Sequence, residues 1–139
     1  MTTGVETIPI LVTHGHYGDG ELYLRFPTEF ESEILTLLDQ NGIEHNTILE
    51  FSAGNELWIE AVKVLSVPGG LVALTSLLKT FVHRHDGKRV VLKRDGYEIE
   101  AAGFSETKTK LFLTQVGAEQ AELDKKWQQI LDAKQNEDE

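Results

Sequence analysis

Residues Ala61 to Val82 form the most apolar stretch of the chain, and any fold must find cover for it. Lys63, Lys79 and the Pro68-Gly69-Gly70 break interrupt the run, and charge is costly at a bilayer centre, so a membrane span is a poor fit. A buried helix over about 69–85 fits better. Leu71, Leu74, Leu77, Leu78, Phe81 and Val82 recur at intervals of three and four, which gives that helix a wide apolar face. Such a face demands other elements packed on it, and 139 residues supply one domain with a real core rather than two.

The rest of the chain supplies those elements. Ile8 to Thr13 is apolar and β-branched, Glu21 to Phe26 alternates, and HGHYGDG between them is turn material, so the segment predicts a β-hairpin. Thr28 with Glu31 has capping-box spacing, and Phe30, Ile34, Leu37 and Leu38 run to an Asn41-Gly42 stop, predicting a helix over about 28–41. Alternation from Ile43 to Ser52 predicts a third strand, and Asn55 is placed to cap a short helix through Leu65. RVVLKR and YEIEAA flank Asp95-Gly96, the dipeptide of a tight hairpin turn. Ser105 is a good N-cap for a last helix that Gly117 weakens in its middle. The expected fold is α+β: a mainly antiparallel sheet of two hairpins plus the 43–52 strand, packed by helices near 28–41 and 69–85, with a long C-terminal helix. Residues 1–104 read as the α+β domain and 105–139 as the C-terminal helix and acidic tail of that same domain.

Charge is unevenly spread. The formal charge is −10, and residues 1–60 hold one base, Arg25, against eleven acids, while the remainder is balanced. Within it, Lys79, Arg84, Lys88, Arg89, Lys93 and Arg94 stand against Asp86 alone. These six bases are the candidate surface for a protein partner with an acidic face. Nucleic acid is disfavoured, because the surrounding chain repels a polyanion and no aromatic residues interleave the bases for stacking. Phe112, Val116, Leu123 and Trp127 line the last helix at spacings of four and seven, a seam suited to closing a homodimer.

Cysteine is absent, which excludes disulfides, thiolate metal sites and cysteine nucleophiles and fits a reducing cytoplasm. The N-terminal MTTGVETIPILVTHG has no basic segment before its apolar run, so a secretory signal is not expected. Two His-x-His pairs, His14 with His16 and His83 with His85, are the candidate metal ligands. On a strand each pair would point to one side, with Asp19 or Asp86 near by. That spacing supports an alternative reading, a small metal-binding enzyme or sensor. No phosphate-binding loop or dinucleotide fingerprint occurs, and no serine sits in a nucleophile elbow. No catalytic residue and no cofactor is therefore assigned.

The segment GGLVALTSLLKTFVHRHDGKRVVLKRDGYEIEAAGFS resembles the effector-associated constant component family of bacterial conflict systems, in which a glycine-preceded helix runs into a basic stretch and V-x-V strands. The likeness covers roughly residues 21–104. Phe81 stands where the family commonly has tryptophan, and the helix after Ser105 is an addition. The resemblance implies a small non-catalytic adaptor that couples effector enzymes to a sensor or delivery module.

Overall fold

The N-terminal hairpin forms where the alternation places it. In the computed structural model, which describes residues 7–16, 18–49, 57–94, 97–100 and 106–137, strand β1 (Thr7–His14) pairs antiparallel with β2 (Leu22–Pro27), His14 lying opposite Leu22. Ile8, Ile10 and Val12 of β1 and Leu22, Leu24 and Phe26 of β2 face one side and are fully buried. The period of two thus assigns one face of the sheet to the core.

A single 3-10 turn (Thr28–Phe30) leads into helix α1 (Glu31–Gln40). The expected capping box does not form: the helix begins after Phe30, with no side-chain cap, because the 3-10 turn takes up residues 28–30. Its end is as expected. Gly42 has φ of 69°, and the Ile43 amide donates to Leu38 O at 2.9 Å, closing the carbonyl end of the helix.

Strand β3 (His45–Thr47) is shorter than the 43–52 expectation, whose last residues lie outside the described ones. The short helix expected through Leu65 is instead a strand, β4 (Leu57–Val62), with Asn55 outside the described residues. Pairing explains the correction: β4 lies between β2 and β3, so both of its edges are hydrogen-bonded into the sheet. Ile59 and Ala61 are buried on one side, Glu60 and Val62 on the other. Buried on both faces, it shows no apolar-polar alternation.

Helix α2 (Gly70–Arg84) starts just after Pro68, as the leucine spacing predicts. Gly70 admits no side chain there, since a Cβ would lie 2.1 Å from Val64 O. The second hairpin is β5 (Arg89–Arg94) with β6 (Tyr97–Glu100), Arg94 opposite Tyr97; the Asp95-Gly96 turn lies outside the described residues. Helix α3 (Glu106–Glu137) is the last described element, while its expected cap, Ser105, also lies outside the described residues.

The result is an α+β fold with a six-stranded sheet ordered β3-β4-β2-β1-β5-β6. Among the described residues every pairing is antiparallel except β1 with β5, which is parallel. All three helices contribute to the core cluster that contains the inward residues of β1, β2 and β5, so they form a layer on that face. Phe30 and Phe81 meet edge to face at 5.5 Å and join the 3-10 turn before α1 to α2, a geometry worth about 1 kcal/mol beyond burial. Among the described residues no helix is long and apolar enough to cross a membrane.

Candidate interaction surface

Helix α3 has 32 residues and is about 48 Å long, whereas the eight-residue strand β1 spans about 26 Å. Its first half is spent on the domain. Phe112 and Val116 are each 2% exposed within the chain's own core, beside Leu113. These two residues of the expected dimer seam are therefore not available to a second molecule; they cover the sheet instead. Gly117 does more than weaken the helix: a Cβ there would meet Leu65 Cδ2 at 2.9 Å and Leu71 Cδ1 at 3.3 Å, so the missing side chain lets α3 approach the first turn of α2 and the segment before it.

The next turns grip the β1–β2 connection. The Gly15 amide donates to Gln120 Oε1 at 3.0 Å, Gln120 Nε2 donates to Asp124 Oδ1 at 2.9 Å, and the Gly18 amide donates to the same Asp124 oxygen at 2.7 Å. The indole of Trp127 lies against Gly18. Beyond it the helix leaves the body. Leu123 and Trp127 are half-buried, and Ile130 and Leu131, which continue the same stripe, are 57% and 37% exposed. The ten residues after Trp127 reach about 15 Å further.

The six expected partner-binding bases do not form one free patch. Lys79 meets Glu106 at 3.4 Å, Arg84 meets Glu33 at 3.8 Å, and Arg94 pairs with Glu119 of α3. Lys88 Nζ sits 5.9 Å above the Phe30 ring. Arg89 and Arg94 mark the two ends of β5, roughly 17 Å apart, and Lys93 points to the opposite face from Arg94. Arg84, Lys88 and Arg89 lie close in sequence where α2 gives way to β5, with Arg84 and Arg89 exposed and Lys88 half-buried.

The two His-x-His pairs are separated by the topology. Because β5 runs parallel to β1 with Arg89 beside Thr7, the end of α2 lies near the start of β1, and His83 and His85 are roughly 20 Å from His14 at its finish. His14 Nε2 lies 3.7 Å from Glu119, His16 Nδ1 lies 3.1 Å from Asp19, and His85 Nε2 lies 2.8 Å from Glu33. His83 is exposed. Among the described residues no three His, Asp or Glu side chains converge as metal ligands.

A polar cluster that the sequence reading passed over is better built. Glu60, 1% exposed, accepts from Thr47 Oγ1 at 2.7 Å and Trp58 Nε1 at 3.1 Å through one oxygen, and its other oxygen lies 2.5 Å from His45 Nδ1. The second ring nitrogen of His45 lies 2.7 Å from Asp39 Oδ1. Burial lowers the His45 pKa, but hydrogen bonds and charge from Glu60 and Asp39 outweigh it and leave the value raised. When both nitrogens carry hydrogen, the ring donates to a carboxylate on each side and has no lone pair left to act as a base. In that form the cluster ties β3 to β4 and to the end of α1. The signal that could have revealed it was polar His45 and Glu60 at inward positions of two strands.

Two further concavities are small or shallow. One of about 50 Å³ lies among Val12, Thr13, His14, Arg94 and Val116, beside the Arg94–Glu119 pair. The other, about 510 Å³, is an open groove between α2 and the start of α3, with Val72, Thr75, Ser76 and Lys110 on its walls. No protein-family model, curated protein or solved structure shows a significant match to this chain.

Proposed function

We propose that the chain is a non-catalytic interaction module that self-associates through the distal half of α3 and serves as an adaptor. The observation that carries this reading is the apolar stripe of α3 continuing through Leu123 and Trp127 to exposed Ile130 and Leu131 after the helix has left the domain. A second copy is the favoured occupant on charge grounds. Residues 121–137 hold four acids and three bases, so two such segments meet almost without net repulsion on a chain whose total charge is −10. One stripe on two copies is also self-complementary about a two-fold axis. The contact is small, so dimerisation belongs in the micromolar range rather than the nanomolar.

A pair joined in this way would carry two sheet domains, each with Arg84, Lys88 and Arg89 at the end of α2 as a docking point for an acidic protein partner. That arrangement suits the adaptor role implied by the resemblance to effector-associated components, and a chain without cysteine suits the cytoplasm. Sedimentation of the full chain tests the reading. A concentration-dependent dimer that Ile130→Asp with Leu131→Asp abolishes supports it, and a monomer at high micromolar concentration overturns it.

A further inference from the structure

The sheet ends at β3, an edge strand of three residues whose register places His45 opposite Val62 and Thr47 opposite Glu60. So short a strand is weakly held by its ladder alone. The two backbone bonds flanking it, Lys63 N–H to Glu44 O and Ile48 N–H to Ile59 O, are both 2.9 Å. What ties it down further is His45, 16% exposed, bridging buried Glu60 of β4 and solvent-facing Asp39 of α1. One ring therefore connects the edge strand to its neighbour in the sheet and to the helix above.

We infer that His45 is a proton-dependent clip, holding β3 and the end of α1 on the sheet while both ring nitrogens carry hydrogen and releasing the edge of β4 when one is lost. Two carboxylates face the ring and neither can donate when ionised, so removing a ring proton leaves a lone pair opposed to a carboxylate oxygen. Among the described residues, the charged groups around the clip offer no substitute. Glu60 comes from β4 and Asp39 from α1, the last turn of α1 holds no base, and Glu44 and Lys63, one position along, lie on the opposite face of the sheet. The raised ring pKa has the matching sign. The clip is complete below the ring's open-state value, near 6.5, and is lost as pH rises through the higher closed-state value.

Hydrogen exchange and ring titration on the full chain test the inference together. NMR gives the His45 pKa, and exchange of the Ile48 and Lys63 amides, corrected for intrinsic chemistry, gives the opening constant of the edge between pH 6 and 9. The opening constant should rise along the His45 titration curve, by about tenfold for each unit that the closed pKa exceeds the open one. Asp39→Asn, at a solvent-facing position, should move both midpoints to lower pH, and His45→Gln should make the corrected opening constant independent of pH. A pH-dependent opening that persists in His45→Gln, or an opening constant in the native chain that is flat across the His45 titration, overturns the clip.

Discussion

Replacing Gln120 with Met should uncouple α3 from the β1–β2 connection without emptying the site. The two side chains are close in volume and helix propensity, so the change removes hydrogen bonds and little else. In the native structure Gln120 is fully buried and its Oε1 receives the Gly15 amide at 3.0 Å, while its Nε2 lies a long 3.4 Å from Gly15 O. Gly15 is itself buried, pressed against the backbone of Glu21, so the amide has no ready access to water. A buried donor left unsatisfied costs about 1–3 kcal/mol, the long second contact adds little, and loss of the part-buried 2.9 Å bond from Nε2 to Asp124 adds up to about 1 kcal/mol. The expected loss is about 2–3 kcal/mol, or roughly 10 °C in Tm for a chain of this size. Urea titration followed by circular dichroism measures it. If Gln120→Met lies within about 0.5 kcal/mol of the native chain, the Gly15 amide is not held by Gln120 and the account of how α3 is anchored fails.

Other perturbations test separate parts of the structure. Gly70→Ala forces a methyl onto Val64 O and should cost on the order of 3 kcal/mol by the same titration, whereas Gly42→Ala, whose Cβ meets nothing within 4 Å, should cost only the strain of its positive φ. Burial of the Glu21 carboxyl, together with the Asp19 charge, raises its pKa above 4.5 against the His16 amide, Lys63 and the His16 ring. Its stabilisation is therefore complete below the unfolded value and lost as pH rises through the folded one, and Glu21→Gln should remove that slope from thermal melts taken between pH 4 and 7. Reversing Arg84, Lys88 and Arg89 to glutamate should shift Tm by no more than a few degrees and slow association with an acidic partner most at low salt; unfolding would make these residues structural.

Much of the fold is legible because its signals are local. The Asn41-Gly42 stop, the leucine spacing after Pro68 and the strands flanking Asp95-Gly96 each need only a few neighbouring residues to be read. LWIEAV failed for a physical reason: buried on both faces, it shows neither alternation nor helical spacing, and the Asn55 cap signal then favours a helix. The parallel β1–β5 pair depends on a crossover through α2, which no local pattern encodes. Phe112 and Val116 were legible as an apolar stripe but not as to what they cover, since intramolecular and intermolecular seams share one spacing. The cluster of Asp39, His45 and Glu60 needs the β3–β4 register before its members can be seen to meet, and the Arg94–Glu119 pair needs α3 docked beside β5.

The central claim is that the distal half of α3 joins two copies of the chain. Sedimentation velocity on the 139-residue chain, from about 5 to 500 μM at moderate salt, tests it most directly. The account predicts a monomer at the low end and a dimer at the high end, with Ile130→Asp and Leu131→Asp together holding the chain monomeric at every concentration while its circular dichroism is unchanged. A native chain that sediments as a monomer throughout, or a dimer that survives both substitutions, would contradict it.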